Sequence, residues 1–252
     1  MKYILLLLIL TFILLALPRL ACIARAQDST MQASRYTRFP YKQQITPTIL
    51  IAAGTVAICA GKEELIRYMP QTNITVDNYL QYAPMLGMYA ADIAGVKAQN
   101  SVWDQTKYLI FSQLACALVV QTLKYTVREQ RPNKGAYNSF PSGHTSVAFV
   151  GATVMYHEFK STNRILAYSG FFVATAVGVL RQTNRKHYIS DVLAGAGIGM
   201  LSANLIYYFK PLKAWQPFSK SNNFSLLPYY NGESAGLSLT VKVGDSYSLI
   251  SN

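Results

Sequence analysis

The chain of 252 residues contains only three histidines and three cysteines, and no His-x-x-x-His or Cys pairing stands at metal-ligand spacing. That scarcity argues against zinc, whose sites draw three or four ligands from these residue types, and nothing in the sequence calls for any other cofactor. Charge is sparse as well: 13% of residues are charged, with 11 acids against 23 bases and a net charge of +12. No Lys/Arg-rich run, finger spacing or basic heptad region accompanies the excess, so nucleic acid is set aside as a partner. A basic balance without such motifs favours anionic lipid headgroups or phosphate substrates. No internal repeat is present, which excludes solenoid architectures.

What the chain has in abundance is apolar surface, 51% of its residues. Residues 1–26 read as a secretory signal peptide: Lys2, an apolar run from Ile4 to Leu17, then Ala24-Arg25-Ala26 as a small-x-small cleavage site. Export suits the cysteine usage, because Cys59 and Cys116 each sit in an apolar segment where a free thiol acts as a small buried hydrophobe. Residues 27–46 read as a linker, 47–210 as a helical domain and 211–252 as a tail.

Six apolar stretches follow the linker, at about 48–61, 80–96, 107–123, 145–156, 164–180 and 192–208. Their length and their Ala, Leu, Gly and Met content make them helices rather than strands. The expected fold class is all-α, a six-helix bundle embedded in a membrane, although the shortness of most stretches and Asp92 in one of them also suit a soluble bundle. Gly195 and Gly199 provide a small-residue face for close helix packing. In the tail, Asn231-Gly232 precedes alternating Leu237, Leu239, Val241 and Val243, which signals a β-hairpin.

Three polar clusters interrupt the bundle. In "SFPSGHTS", Pro141 stops the preceding chain and Ser142-Gly143 opens a helix at about His144, whose unpaired first-turn amides and positive dipole end suit an anion. At the end of the third apolar stretch, "KYTVREQRP" brings Lys124, Arg128 and Arg131; at the end of the fifth, "LRQTNRKHYISDV" brings Arg181, His187 and Asp191. In an alternating bundle the ends of helices 3 and 5 and the starts of helices 4 and 6 share one side, so the clusters form a single mouth. Cations and amides there would hold phosphate oxygens and stabilise transition-state charge. Asp191, four residues after His187, would take the proton of one ring nitrogen and leave the other to attack phosphorus. His144 would then protonate the leaving oxygen.

Lys124, six residues, Arg131-Pro132; Pro141-Ser142-Gly143-His144; and Arg181, five residues, His187, three residues, Asp191: this series resembles the three signature motifs of the type 2 phosphatidic acid phosphatase superfamily, which includes vanadium haloperoxidases and bacterial class A acid phosphatases. The resemblance covers about residues 107–208. It implies a bundle of the acid phosphatase/haloperoxidase type and a metal-independent phosphatase with a phosphohistidine on His187, His144 as general acid and Asp191 orienting His187. It also implies Lys124, Arg131, Ser142, Gly143 and Arg181 as the phosphate cradle. Leu180 departs from the pattern, where the family usually has Ser.

The expected substrates are phosphorylated envelope lipids: a lipid A phosphate, a polyprenyl diphosphate or a phosphatidate-type monoester. A soluble periplasmic acid phosphatase and a vanadium-dependent haloperoxidase are the alternatives. The site is expected to face the periplasm, with residues 48–61 packed at the bundle surface rather than crossing the membrane. His157 is read as a surface or capping residue, Arg128 as helix-terminal charge, and Asp92 as a polar anchor for Lys97 or a supporting partner.

Overall fold

The computed structural model describes residues 41–59 and 70–215, and the backbone of strands 224–230, 235–243 and 246–250. The signal reading falls outside the described residues, as does most of the linker. Among the described residues of the unit ending at Tyr208 the helices are α1 (Tyr41–Cys59), α2 (Asp77–Leu80), α3 (Ala83–Ile93), α4 (Val102–Val127), α5 (Gly143–Phe159), α6 (Arg164–Thr183) and α7 (Ile189–Tyr208). The six apolar stretches fall on the six longer helices. The single turn α2 carries no apolar periodicity and was not legible. Local chemistry sets several ends: Ser101 and Asn163 accept from the amides of Asp104 and Leu166, and Arg128 ends α4 in the left-handed region at φ 49°.

Helix α7 is the packing centre, in contact with α1, α4 and α5. Its glycines permit this. A Cβ on Gly195 would lie 2.5 Å from the Ser142 carbonyl, one on Gly199 would collide with the Ser146 carbonyl, and one on Gly197 would lie 2.6 Å from the Pro47 carbonyl. Backbones therefore approach at distances that any side chain would forbid.

Helix α1 begins at Tyr41, inside the stretch read as linker, and runs through Pro47. Proline at that position frees the Gln43 carbonyl from its intrahelical bond, and Asn204 Nδ2 donates to this carbonyl at 3.0 Å. Near the other end of α1, Gly54 abuts Ser190 and Ala194. Helix α1 thus lies antiparallel to α7 over nearly its whole length. It packs along the bundle with Tyr41, Ile45, Ile49 and Val56 turned outward, and tertiary hydrogen bonding compensates its proline.

The end away from the polar motifs closes on a buried network. Glu158 accepts from the backbone N–H and side chain of Asn100, both at 2.9 Å, and from the Tyr207 hydroxyl. His157 bonds Asn204 at 2.8 Å and stacks on Tyr207, whose ring also stacks on Tyr108. His157 is 7% exposed, so the surface or capping reading is wrong; its ring is a core polar group. Asp92 accepts from Gln105 at 3.2 Å.

The outer faces are apolar. Leu114 and Leu118 on α4 are 61% and 71% exposed, and Phe172 on α6 is 81% exposed; a patch of this kind marks contact with lipid or protein rather than water. Helices α4, α6 and α7 are long and apolar enough to cross a membrane. From Phe209 on, a second unit holds a short helix α8 (Lys210–Ala214) and three antiparallel strands, β1 (Phe224–Tyr230), β2 (Ala235–Val243) and β3 (Ser246–Ile250), in sheet order β1-β2-β3. Phe224 pairs with Val241, and Leu239 with Ile250.

If the α5–α7 approach is as tight as the glycines indicate, Gly199→Ala must separate the helices. The expected loss is about 1–3 kcal/mol of stability, read as a lower unfolding temperature in detergent. An unchanged unfolding temperature would contradict the packing.

Candidate active site

The mouth forms where α4 and α6 end and α5 and α7 begin. Two backbone bonds hold it together: Ser142 N–H donates to the Asp191 carbonyl at 3.0 Å, and Asn133 N–H to the Arg185 carbonyl at 3.2 Å. The connection from α4 to α5 turns at Lys134, another left-handed residue, and passes a cis Phe140–Pro141 bond before Gly143 starts α5. The first intrahelical bond of α5 is Ser146 to Ser142 at 3.1 Å, so the Gly143 and His144 amides precede the ladder at the positive end of the helix.

His187 is buried, with Nδ1 standing 3.4 Å from Asp191 Oδ2. That is ion-pair range, yet Nδ1 has no aligned hydrogen-bond partner; such contacts often tighten only when substrate binds. Asp191 is itself fixed: Oδ2 accepts from the Tyr188 N–H at 2.9 Å and from the Ser139 hydroxyl, and Oδ1 from Ser190 Oγ at 3.3 Å. Burial pushes the His187 imidazole down to about 4, against the opposing pull of Asp191, while Lys124 and Arg181 push the same way as burial. The ring is therefore neutral near pH 7, with a lone pair available for attack.

His144 is half-buried, and its Nε2 meets Asn78 Oδ1 at 3.0 Å. Burial first, then Arg181, Arg131 and Lys124, lower it to about 4, with Asp77 opposing. Lys124 Nζ donates to the Asn138 carbonyl at 2.6 Å. Arg181 is buried, with Nη1 on Asp77 Oδ2 at 2.7 Å and Nε unpaired; Arg131 Nε is also buried without a partner. Two guanidinium N–H groups thus remain to be satisfied, as a bound oxyanion would do.

The structure brings Lys124, Arg131, His144, Arg181, His187 and Asp191 into one electrostatic cluster. Ser142 and Gly143 stand at its edge: a Cβ on Gly143 would lie 3.9 Å from Lys124 Cε, while the Ser142 N–H serves Asp191 and its hydroxyl pairs with Thr145 at 2.9 Å. Sequence reasoning missed Ser139, Asp77 and Asn78. Ser139 opens the stretch that carries His144, but a lone serine before Phe140 gave no signal of its role. Asp77 and Asn78 come from far upstream. Beside Lys124 a cavity of about 620 Å³ is lined by Gln121, Tyr125, Arg128, Tyr137 and Asn138.

Residues 105–215 match the family model described as the PAP2 superfamily. The chain is 31% identical over 175 residues to a lipid A 1-phosphatase of Porphyromonas gingivalis, across 68% of this chain and 38% of that protein. It is 23% identical over 177 residues to a probable diacylglycerol pyrophosphate phosphatase of Schizosaccharomyces pombe, across 52% of this chain and 62% of that protein. It therefore spans less than two thirds of the length of either relative. The crystal structure of Aquifex aeolicus LpxE aligns with 58% of this chain and 94% of its own, at 23% identity and a TM-score of 0.45.

The two imidazoles give a direct check by NMR of ring-labelled histidine, assigned with single-histidine variants. In the free protein His187 and His144 should titrate near 4. Added phosphate places negative charge beside His144, favours its protonated form, and should raise its midpoint by about one unit or more. A His187 midpoint near the ordinary 6.5 would contradict its burial.

Proposed function

We propose, from the match of residues 105–215 to the PAP2 superfamily model, that the chain is a metal-independent phosphatase of phosphorylated envelope lipids acting through a phosphohistidine. The observation that carries this reading is the neutral, buried His187, held beside Asp191, with Lys124 and Arg181 close to it and Arg131 close to Arg181 and Asp191. Nδ1 faces the carboxylate, so Nε2 is the attacking atom.

In the proposed first step, His187 Nε2 forms a bond to phosphorus as the bond to the lipid oxygen breaks. Lys124, Arg131, Arg181 and the first-turn amides of α5 take the charge of the non-reacting oxygens. The His144 ring gives its proton to the leaving oxygen, and Asp191 steadies the positive charge developing on His187. Water, with its proton passing to His144, then attacks phosphorus and releases phosphate from His187. His144 is neutral in the free protein; the incoming anion supplies the negative potential that protonates it.

Lipid substrates are supported by the apolar outer faces of α4 and α6 and by the names of the two relatives. The 620 Å³ cavity beside Lys124 is wide enough for a headgroup, with Tyr125 and Tyr137 exposed at its rim. Membrane residence is favoured over a soluble acid phosphatase for the same reason: exposed Leu114, Leu118 and Phe172 have no aqueous role.

We further propose a mouth on the periplasmic face, where phosphate groups of envelope lipids are reached from outside. Because α1 starts at the opposite end of the bundle, this orientation starts Tyr41 on the cytoplasmic side. A leader that crosses from the cytoplasm, cleaved or retained, leaves Tyr41 on the periplasmic side, so this orientation requires that residues 1–26 do not carry the chain across.

Two measurements test these readings. His187→Ala and His144→Ala should each lower turnover of a phosphorylated lipid by about a thousandfold or more, chelators should leave wild type active, and acid-labile phosphate should be trapped on wild type but not on the His187 variant. Full activity in His187→Ala or a strict metal requirement would defeat the mechanism. For orientation, a single cysteine at Tyr137, with Cys22, Cys59 and Cys116 replaced by Ala, should react with an impermeant thiol reagent once the outer membrane is opened. Labelling only after the inner membrane is broken would put the mouth in the cytoplasm.

A further inference from the structure

Residues 70–80 form a strap against the mouth. Thr72 N–H donates to the Thr183 carbonyl at 3.0 Å, and the Thr72 hydroxyl reaches Thr183 Oγ1 and Asn184 Oδ1 at 3.0 and 2.9 Å. The Asn184 side chain bridges both backbone groups of Ile74, accepting at 3.1 Å and donating at 2.6 Å. The strap is thereby locked to the end of α6, immediately after Arg181. Its next turn, α2, delivers Asp77 to Arg181 and Asn78 to His144, at 2.7 and 3.0 Å.

We propose that Asp77 and Asn78, which lie outside the matched domain, are positioning residues of the active site: Asp77 sets the Arg181 guanidinium, and Asn78 sets the His144 ring. The inference deepens the phosphatase reading and rests on it. Both side chains of the Asp77–Arg181 pair are almost wholly buried, and a buried ion pair seldom repays its desolvation when apolar residues of similar volume would fill the space. Arg181 is needed as a cation, so the carboxylate is there to hold it. Asp77 occupies Nη1 and leaves Nε unpaired, fixing one edge of the fork and reserving another for the oxyanion. It is also a counterion, with Asp191, to the three clustered cations of the mouth.

Asn78 acts on the ring differently. Its carbonyl oxygen meets His144 Nε2, which fixes the plane and tautomer of the ring on the side facing the strap. The charged groups around His144 come from four elements: Asp77 from α2, Lys124 from α4, Arg131 from the connection after α4, and Arg181 from α6. Only Asp77 favours the imidazolium. Loss of its charge should therefore make His144 a poorer proton holder and move the alkaline limb of kcat toward lower pH.

The test uses Asp77→Asn and Asn78→Ala in the full chain. In Asp77→Asn, inorganic phosphate should bind about threefold tighter or better, because a neighbouring negative charge is gone. Orthovanadate, which adopts the five-coordinate geometry of the transition state, should bind about tenfold weaker, because the fork is no longer set. On a phosphorylated lipid, kcat should fall ten- to a hundredfold, on the order expected of a small misplacement, with the alkaline limb moved acidward by about half a pH unit or more. A pair that is only structural would weaken both anions in parallel or alter neither, and either result overturns the proposal. If Asp77→Asn does not fold, Asn78→Ala carries the test: kcat about tenfold lower at unchanged KM is expected, and wild-type kcat overturns it. A wild-type protein without turnover would defeat the phosphatase reading, while the phosphate and vanadate split would still report on Asp77.

Discussion

Everything at the mouth depends on how closely α7 approaches α5. Asp191 sits in the first turn of α7, and its backbone carbonyl accepts from the Ser142 N–H that opens α5. That bond exists because Gly195, one turn further along, has no side chain to strike the Ser142 carbonyl, and Gly199 has none to strike Ser146. A packing constraint thus sets the distance between the carboxylate that holds His187 and the helix start that bears His144. Small residues on one helix determine the geometry of chemistry on two.

The same closeness creates an electrostatic problem, since Lys124, Arg131 and Arg181 converge in a site largely removed from water. Coulomb repulsion is strong there, and two carboxylates answer it. Asp191 is held by Ser139, Tyr188 and Ser190 and turned toward His187; Asp77 is paired directly with Arg181. Neither saturates the cluster, since the Nε atoms of Arg131 and Arg181 stay buried without a partner. Burial holds both imidazoles well below their ordinary range.

At the other end of the bundle, polarity serves the fold. The carbonyl freed by Pro47 meets Asn204, which also engages His157, while Glu158 gathers Asn100 and Tyr207. This network ties the start of α1 to the ends of α5 and α7 and holds the bundle in register from the side away from the chemistry. Between the two polar ends the helices turn apolar faces outward, a distribution suited to a protein held between two aqueous phases.

Sequence alone pointed to the longer helices and to the proposed chemistry. Runs of apolar residues too long for strands announced the six longer helices, and the spacing of Lys124, Arg131, His144, Arg181, His187 and Asp191 carried the phosphate-site reading because those relations are local in the chain. Other features depended on contacts between distant residues, which no local pattern records. Helix α1 starts at Tyr41, inside the stretch read as linker, and runs through Pro47 because Asn204 supplies the missing hydrogen bond; His157 looked exposed until Tyr207 and Asn204 buried it. Asp77 and Asn78 were invisible because a carboxylate on a polar turn is ordinary in sequence. Only the tertiary structure, by locking Thr72 and Ile74 to the end of α6, decided that these two side chains belong to the mouth.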